Sequence, residues 1–516
     1  MLKKLVFVTI IFLLFLKIDY RLINDLNCCG DDFDYYSHAE TIGIDFDFDY
    51  SNQIPNGSRF YFNGKNAPIG FVGSGILSSP FLAIGNILDK IFNDSSTIDL
   101  YKNLIYSFSS IVYLLLSLIL IRRSIQNFKK NIPNLEIIFF GSGIVYFAFE
   151  RYSMTHVYEV FSISLLIYTI TKYIIENKNL YIFVTPFIML LCILIRWTNI
   201  YIFFIPGILI SLTYKNYKET IGFYFNKYFI LSSLTSTILF LQLSKLIYGV
   251  ITFSPSFVYM QKGFAKNTLK NYIINFDINI FKSIRDFLNI LISQEFGLFW
   301  FSPVLFLGII SIISMILLNR KEMLITKFII LFIFVQNFII VSIWNSTASS
   351  YGYRYLYSLI PISLVTISHE TNINSTLKRN YLLYFSIFSI ISVLFFESTI
   401  QTQLSEANVI NSFGSEVRYS QPLYLTGFIK SLINFEAYFK ILGTSYLGAI
   451  LIKLFLFLFG RDKLEIILNF FKITQNQDLV ELIYKLELLD IKYFLIVTIF
   501  SIFMSYIFLK KVKVNE

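Results

Sequence analysis

Long apolar segments recur throughout this sequence, and they limit its fold more than any other feature. A helix of about 20 apolar residues is long enough to cross the hydrocarbon core of a bilayer. The segments of this kind, several of them shorter than the usual length, are residues 5–22, 104–121, 135–150, 157–175, 180–195, 199–213, 229–250, 297–318, 324–343, 355–368, 382–397, 439–459 and 491–509. They predict an all-α polytopic membrane protein with about 13 transmembrane helices. Residues 70–88 are also apolar but rich in Gly, Ser and Pro, which predicts a helix at the membrane interface.

The composition agrees with a membrane protein and excludes several other classes. Hydrophobic residues make up 55% of the 516 residues and charged residues only 15%, whereas soluble chains carry about 25% charge. An ordinary soluble enzyme and a disordered protein are therefore excluded. Three cysteines are too few for a disulfide framework, and three histidines argue against a histidine-rich metal site.

The net charge of +10 is explained by orientation in a membrane, without a nucleic-acid partner. Lysine and arginine gather in loops that fall on one side of the predicted topology, and the positive-inside rule makes that side cytoplasmic. Thirteen spans conflict with the rule at one place, because they leave a basic C-terminal group outside, namely Lys510, Lys511 and Lys513. The topology of the C-terminal third therefore stays open.

The first loop on the opposite side, residues 23–69, contains an unusual concentration of acids. Residues 25–49 include eight Asp or Glu residues and no Lys or Arg. Asp31 and Asp32 stand close to the end of the first apolar segment. A carboxylate at the membrane surface can act as a general base or as a ligand of a divalent ion. The alternative, a solvated acidic loop or a weak cation site, stays open on composition alone.

The segment Gly-Asp-Asp-Phe-Asp-Tyr-Tyr at residues 30–36 resembles the first-loop motif of the GT-C glycosyltransferases, polytopic enzymes that use polyprenyl-phosphate sugars. It is similar to the bacterial branch related to protein O-mannosyltransferases and lipid A aminoarabinose transferases. Further segments resemble motifs of that branch in the same order, namely residues 44–49, 65–70, 154–158, 196–199, 297–303 and, after Trp344, 351–355. The resemblance implies a GT-C-like transmembrane catalytic core at residues 1–365, with interfacial helices in an extracytoplasmic first loop. Residues 366–516 would form a C-terminal transmembrane region of uncertain role.

The resemblance also implies a reaction, an inverting glycosyl transfer at the outer face of a bacterial plasma (inner) membrane. A sugar would pass from a polyprenyl-phosphate carrier to an acceptor hydroxyl on a glycan, a lipid or a protein. Asp31 would be the general base, and Asp32 would orient the acceptor or a cation. Negative charge develops on the departing phosphate, which cationic side chains stabilise. The implied substrate-binding residues are Lys65, Arg151, His156, Glu159, Arg196, Tyr351 and Arg354.

A metal requirement stays open at this stage, and no cofactor is certain. Relatives nearest to the aminoarabinose enzymes carry a glutamate just before the first-loop lysine, whereas this sequence has Gly64. If a second carboxylate is needed beside Asp31, the candidates are Glu150 and Glu159. Together these oxygens would suit a divalent cation such as Mg²⁺ or Mn²⁺.

Other interpretations of the same features also stay open. Arg151 and Arg196 could reach lipid headgroups instead, and the basic residues of loop 251–296 could form a helix on anionic lipid or a lid over the carrier phosphate. A lipid-linked sugar flippase or another transporter would hold polar groups near the midplane of broken helices, whereas charges here cluster at one face. An O-antigen polymerase or ligase would tolerate the loss of Asp31, which a GT-C transferase would not.

Overall fold

The structure is a computed structural model of the chain. It describes residues 2–17, 31–54, 61–62, 64–68, 70–92, 100–214, 217–252, 280–294, 297–317, 324–343, 351–369, 376–407, 424–433, 435–470, 486 and 489–513. Some side chains inside these ranges, including that of Asp31, fall outside the description, so only the backbone of Asp31 is placed.

Helices dominate the described residues, as the apolar segments predict. The α-helices before residue 250 are α1 (Leu2–Phe15), α2 (Asp31–Glu40), α3 (Gly73–Phe92), α4 (Leu100–Asn127), α5 (Leu135–Phe140), α6 (Ile144–Phe149), α7 (His156–Glu176), α8 (Asn179–Ile195), α9 (Ile205–Tyr214), α10 (Tyr217–Tyr224) and α11 (Lys227–Tyr248). A π-helical segment, Thr41–Asp45, continues α2, and a 3₁₀ helix, Trp197–Phe204, precedes α9. Two short antiparallel strands, β1 (Tyr61–Phe62) and β2 (Lys65–Asn66), form a hairpin in the first loop.

The second half of the chain continues the same helical pattern. Its α-helices are α12 (Ile280–Ile292), α13 (Leu298–Phe301), α14 (Pro303–Leu317), α15 (Leu324–Ile343), α16 (Ile360–His369), α17 (Thr376–Ala407), α18 (Tyr424–Ile433), α19 (Phe435–Thr444), α20 (Tyr446–Phe459), α21 (Arg461–Phe470) and α22 (Ile491–Lys513). A 3₁₀ helix, Arg354–Leu359, leads into α16.

Six helices in the described ranges are long and apolar enough to cross a membrane. They are α3, α4, α7, α11, the 376–396 part of α17 and the 491–510 part of α22. Shorter apolar helices accompany them, namely Asn179–Ile195, Trp197–Ser211, Pro303–Ser314, Leu331–Ile340 and Tyr446–Phe459. An all-α fold is thus confirmed, and its long apolar helices are compatible with a multi-pass membrane protein. The number of thirteen spans and the GT-C topology stay predictions.

Several predicted segments differ from the helices observed. The segment 135–150 is divided between α5 and α6, because Gly143 at the break has a φ of +85° that suits glycine. The segment 70–88 corresponds to α3, a helix of 20 residues that is long and apolar enough to cross a membrane, and its place at the interface stays a prediction. Its glycines allow close packing, because Gly73 lies on the backbone of α8 and Gly85 on that of α4. Small residues allow such close approach between membrane helices.

The central helices α3, α4, α7 and α8 pack side by side in chain order, and α2 lies against α3. Helix α7 spans about 30 Å, since its residues rise by about 1.5 Å each. His156 begins it and Glu176 ends it. At the Glu176 end, Lys172 and Lys178 both contact the Glu176 carboxylate. The candidate site residues His156 and Glu159 therefore lie at the opposite end of the bundle.

Candidate functional site

The first-loop helix α2 has a sequence that favours its formation. Asp31 and Asp32 occupy its first turn, where negative side chains interact favourably with the helix dipole. Glycines then hold this region against α3. An added Cβ at Gly43 would stand 2.6 Å from the carbonyl oxygen of Ser79, and one at Gly75 would stand 2.9 Å from the carbonyl carbon of His38. The acidic first loop is thus closely packed on a candidate membrane helix.

His38 joins separate parts of the first loop from a fully buried position. Its Nε2 lies 2.8 Å from the carbonyl oxygen of Gly70 and its Nδ1 lies 2.7 Å from the hydroxyl of Tyr50. A carbonyl can only accept, so Nε2 carries the proton and Nδ1 accepts from Tyr50. Tyr248 of α11 donates to the same Gly70 oxygen at 2.8 Å. Burial lowers the pKa of His38 from 6.5 to about 4, which keeps the imidazole neutral at physiological pH.

Asp32 faces inward from α2 and is only 1% exposed. Its Oδ2 accepts a hydrogen bond from Arg151 Nη2 at 2.6 Å. Arg151 lies in the turn between α6 and α7. Two residues predicted to bind or activate substrate therefore form an ion pair with each other.

A second cluster stands at the start of α7, around the buried carboxylate of Glu159. One oxygen, Oε2, accepts from His156 Nδ1 at 3.1 Å. The other, Oε1, accepts from Asn199 Nδ2 at 3.2 Å and lies 3.5 Å from Arg196 Nη1. His156 and Glu159 are on the same helical face because they are three residues apart. A buried acid of this kind is retained where partners compensate its charge.

Two guanidinium groups share the ring of Tyr355. The Cζ of Arg196 lies 5.1 Å from the ring centroid and the Cζ of Arg354 lies 5.2 Å from it, both within cation–π range. Arg354 Nη2 also approaches the Tyr355 hydroxyl at 3.5 Å. Within the described part of the chain, Arg354 Nε is buried and has no hydrogen-bond partner. Among the described residues of this cluster, two arginines at +1 each and Glu159 at −1 sum to +1, which suits an anion.

Tyr351 is buried and its hydroxyl contacts α17. The oxygen lies 3.0 Å from the carbonyl oxygen of Ser389, 2.9 Å from Ser389 Oγ and 2.6 Å from Ser392 Oγ. These bonds tie the turn that precedes Arg354 to α17. The predicted role of Tyr351 in substrate binding stays a prediction, and the structure gives it an anchoring contact.

The remaining predicted residues are placed as follows. Lys65 is exposed in β2, and Glu150 is buried at the C-terminal end of α6. The side chain of Asp31, all of Trp344 and most of the basic loop, residues 253–279, lie outside the described residues. Among the residues that are described, no three His, Cys, Asp or Glu side chains are grouped to hold a metal ion.

Sequence reasoning missed some members of these clusters. Asn199 and Tyr355 stand inside quoted motifs, beside the predicted Arg196 and Arg354, but neither was singled out. Hydrogen-bonding and ring contacts across distant segments identify them only in three dimensions. His38 had no sequence signal, since a lone histidine in an acidic segment does not indicate its partners.

Comparison of the chain with protein-family models, with curated proteins and with solved structures finds no match.

Proposed function

We propose that this chain is a membrane glycosyltransferase that takes a sugar from a polyprenyl-phosphate carrier and transfers it to an acceptor hydroxyl on the extracytoplasmic side. The observation that carries this proposal is the pair of arginines, Arg196 and Arg354, on the ring of Tyr355 beside a single buried carboxylate. The acceptor is a glycan, a lipid or a protein, and the host membrane is the bacterial plasma membrane.

The two arginines on the Tyr355 ring, Arg196 and Arg354, form a cationic cluster that suits a phosphate ligand. Guanidinium groups present several N–H donors in a planar fork that matches phosphate oxygens. Arg354 keeps a buried Nε–H without a partner among the described residues, and an unsatisfied buried donor is costly. A bound phosphate would satisfy such a donor and offset the excess positive charge.

The location at one end of the bundle supports a lipid-linked substrate. Arg354 begins a 3₁₀ helix that leads into the apolar helix α16, and Arg196 ends the apolar helix α8. A phosphate held there would stand at the boundary between apolar helices and water, as a lipid headgroup does. A transporter would instead place its polar groups near the middle of broken helices.

Asp31 supplies the general base of the proposed reaction. The acceptor hydroxyl attacks the anomeric carbon, the bond from that carbon to the phosphate oxygen breaks, and the lipid phosphate leaves with the electron pair. Asp31, at the start of α2, takes the hydroxyl proton. The guanidinium groups of Arg196 and Arg354 stabilise the charge on the departing phosphate.

Ligand binding by the purified protein tests the phosphate site. Farnesyl phosphate is the probe, farnesol is the matched ligand without phosphate, and the thermal midpoint is measured for the wild type, Arg354→Gln and Arg461→Gln. Arg461 is exposed on α21 and gives the same substitution away from the cluster. We expect Arg354→Gln to weaken farnesyl phosphate binding about 10- to 100-fold, the value of one charged hydrogen bond.

Turnover tests the reaction itself. Proteoliposomes receive radiolabelled polyprenyl-phosphate sugars with a mixture of envelope acceptors, with and without EDTA, and wild type is compared with Asp31→Asn. Transfer by wild type but not by Asp31→Asn supports the transferase. If farnesyl phosphate and farnesol bind equally and no donor turns over, the proposal fails. Carrier movement across the bilayer without transfer would favour a flippase, and full activity of Asp31→Asn would favour a polymerase or ligase.

A further inference from the structure

The ion pair between α2 and the turn before α7 has a geometry that suggests a specific role. Arg151 Nη2 and Asp32 Oδ2 are 2.6 Å apart although 119 residues separate them in sequence. The Asp32 side chain is 2% exposed and that of Arg151 is 21% exposed. A short, charge-assisted bond of this length is among the stronger protein hydrogen bonds. It fixes the beginning of α2 to the turn that leads to His156.

Edge-to-face aromatic contacts join the same two segments through Tyr106 of α4. Tyr36 lies one helical turn after Asp32, and its ring meets that of Tyr106 edge-on at 5.1 Å. The Tyr106 ring meets that of Tyr152, the neighbour of Arg151, edge-on at 5.9 Å. The ion pair and the aromatic contacts therefore hold α2 at two successive turns of one face.

We infer that Asp32 and Arg151 are positioning residues that set the rotation of α2, rather than groups that touch the substrate. Successive residues of an α-helix are rotated by about 100°, so a fixed direction for Asp32 fixes the rotation of the whole helix. The position of Asp31, which begins the helix, is fixed with it. This inference rests on the proposed transferase function, and it replaces the roles expected from sequence for Asp32 in orienting the acceptor and for Arg151 in binding phosphate.

The test separates positioning from substrate contact through the kinetic constants. Arg151→Gln and Arg151→Lys are compared with Arg354→Gln, which belongs to the cationic cluster. We expect Arg151→Gln to lower kcat about 10- to 100-fold, with the donor KM changed less than about 3-fold, because the base is misplaced while the phosphate site is intact. Arg151→Lys keeps the charge and should recover part of the loss. Arg354→Gln should raise the donor KM about tenfold or more and lower kcat as well, because Arg354 both binds the phosphate and stabilises its charge as it departs.

Asp32→Asn is the second variant, and it keeps an oxygen that can accept from Arg151. We expect it to retain at least about a tenth of wild-type kcat, whereas Asp31→Asn should retain none, as the base itself is lost. Hydrogen exchange of the backbone amides of residues 33–37 supplies a readout independent of activity. Exchange should be faster in Arg151→Gln than in the wild type and unchanged in Arg354→Gln.

Particular outcomes would overturn the inference. A donor KM raised tenfold or more in Arg151→Gln, with kcat retained, would return Arg151 to phosphate binding. Loss of all activity in Asp32→Asn, with wild-type exchange in α2, would make Asp32 a catalytic group. Unchanged exchange in Arg151→Gln would mean that the pair does not hold the helix. If wild type transfers no sugar, the proposed function fails, while the exchange data still decide whether the ion pair fixes α2.

Discussion

Acidification should loosen the first loop through the protonation of His38. In the folded protein the pKa of His38 is about 4, against 6.5 for a free imidazole. Between these two values the unfolded chain takes up a proton and the folded chain does not. The contribution of neutral His38 to stability is therefore complete above pH 6.5 and is lost as the pH falls toward 4. Protonation would require a buried charge and would change the bond that Nδ1 accepts from Tyr50.

The magnitude follows from the separation of the two pKa values. Lowering the pH from 7 to 4.5 should reduce the free energy of unfolding by about 2 kcal/mol through this group alone, at about 1.4 kcal/mol per unit of pKa separation. Carboxylates titrate in the same range, so the quantity to measure is the difference between wild type and His38→Gln. Glutamine keeps an N–H donor for the Gly70 carbonyl but does not titrate.

Unfolding in mixed micelles, followed by intrinsic fluorescence at several pH values, gives this difference. The wild-type curve should fall below that of His38→Gln progressively from pH 6.5 downward, after both are normalised at pH 7.5. If the two variants lose stability in parallel between pH 7 and 4.5, the burial of a neutral His38 in this loop is refuted.

Further changes test the packing and capping contacts of the fold. Gly75→Ala should lower the free energy of unfolding by about 1–3 kcal/mol, because its Cβ would collide with His38. Gly222→Ala serves as the control, because nothing lies within 4 Å of a Cβ added there. It should be neutral or stabilise the protein by up to about 1 kcal/mol. Asp89→Ala should lower the free energy of unfolding by about 1–2 kcal/mol in the same assay. The Asp89 carboxylate accepts hydrogen bonds from the backbone N–H groups of Tyr101 and Lys102, at 2.8 and 2.7 Å, at the start of α4. A wild-type midpoint for Asp89→Ala would contradict that capping role. Tyr351→Phe should lower the free energy of unfolding by about 1 kcal/mol, because it removes the buried hydroxyl that contacts Ser389 and Ser392. An unchanged midpoint would show that this anchor contributes nothing.

The helical class could be predicted from the sequence because hydropathy is a local property. Segments such as 157–175 and 324–343 agree with α7 and α15 to within a few residues. Breaks inside apolar segments could not be predicted in the same way. Ser302 separates α13 from α14, and its hydroxyl donates to the carbonyl oxygen of Ser142, 160 residues away. Such a break depends on a distant partner that hydropathy does not report.

The candidate site shows the same division between local and distant information. His156 and Glu159 are three residues apart, so the sequence alone indicates that they share one helical face. The pairing of Asp32 with Arg151, and that of Arg196 with Tyr355, involve segments more than 100 residues apart. Residue type and position at the ends of apolar segments indicated which side chains were of interest. The contact partners of these side chains, and hence their separate roles, could be identified only from the three-dimensional structure.

The contact between α1 and the C-terminal helices has a consequence for biosynthesis. Helix α1 packs on α20 and α22, and the backbone N–H of Tyr446 donates to the carbonyl oxygen of Leu16 at 2.9 Å. At about 5–20 residues per second, a ribosome needs roughly 20 to 90 seconds to synthesise the 430 residues from Lys17 to Tyr446. During that interval α1 exists without the helices on which it packs. Its contact face meets other surroundings until then, so this helix depends on late-synthesised neighbours for its final packing.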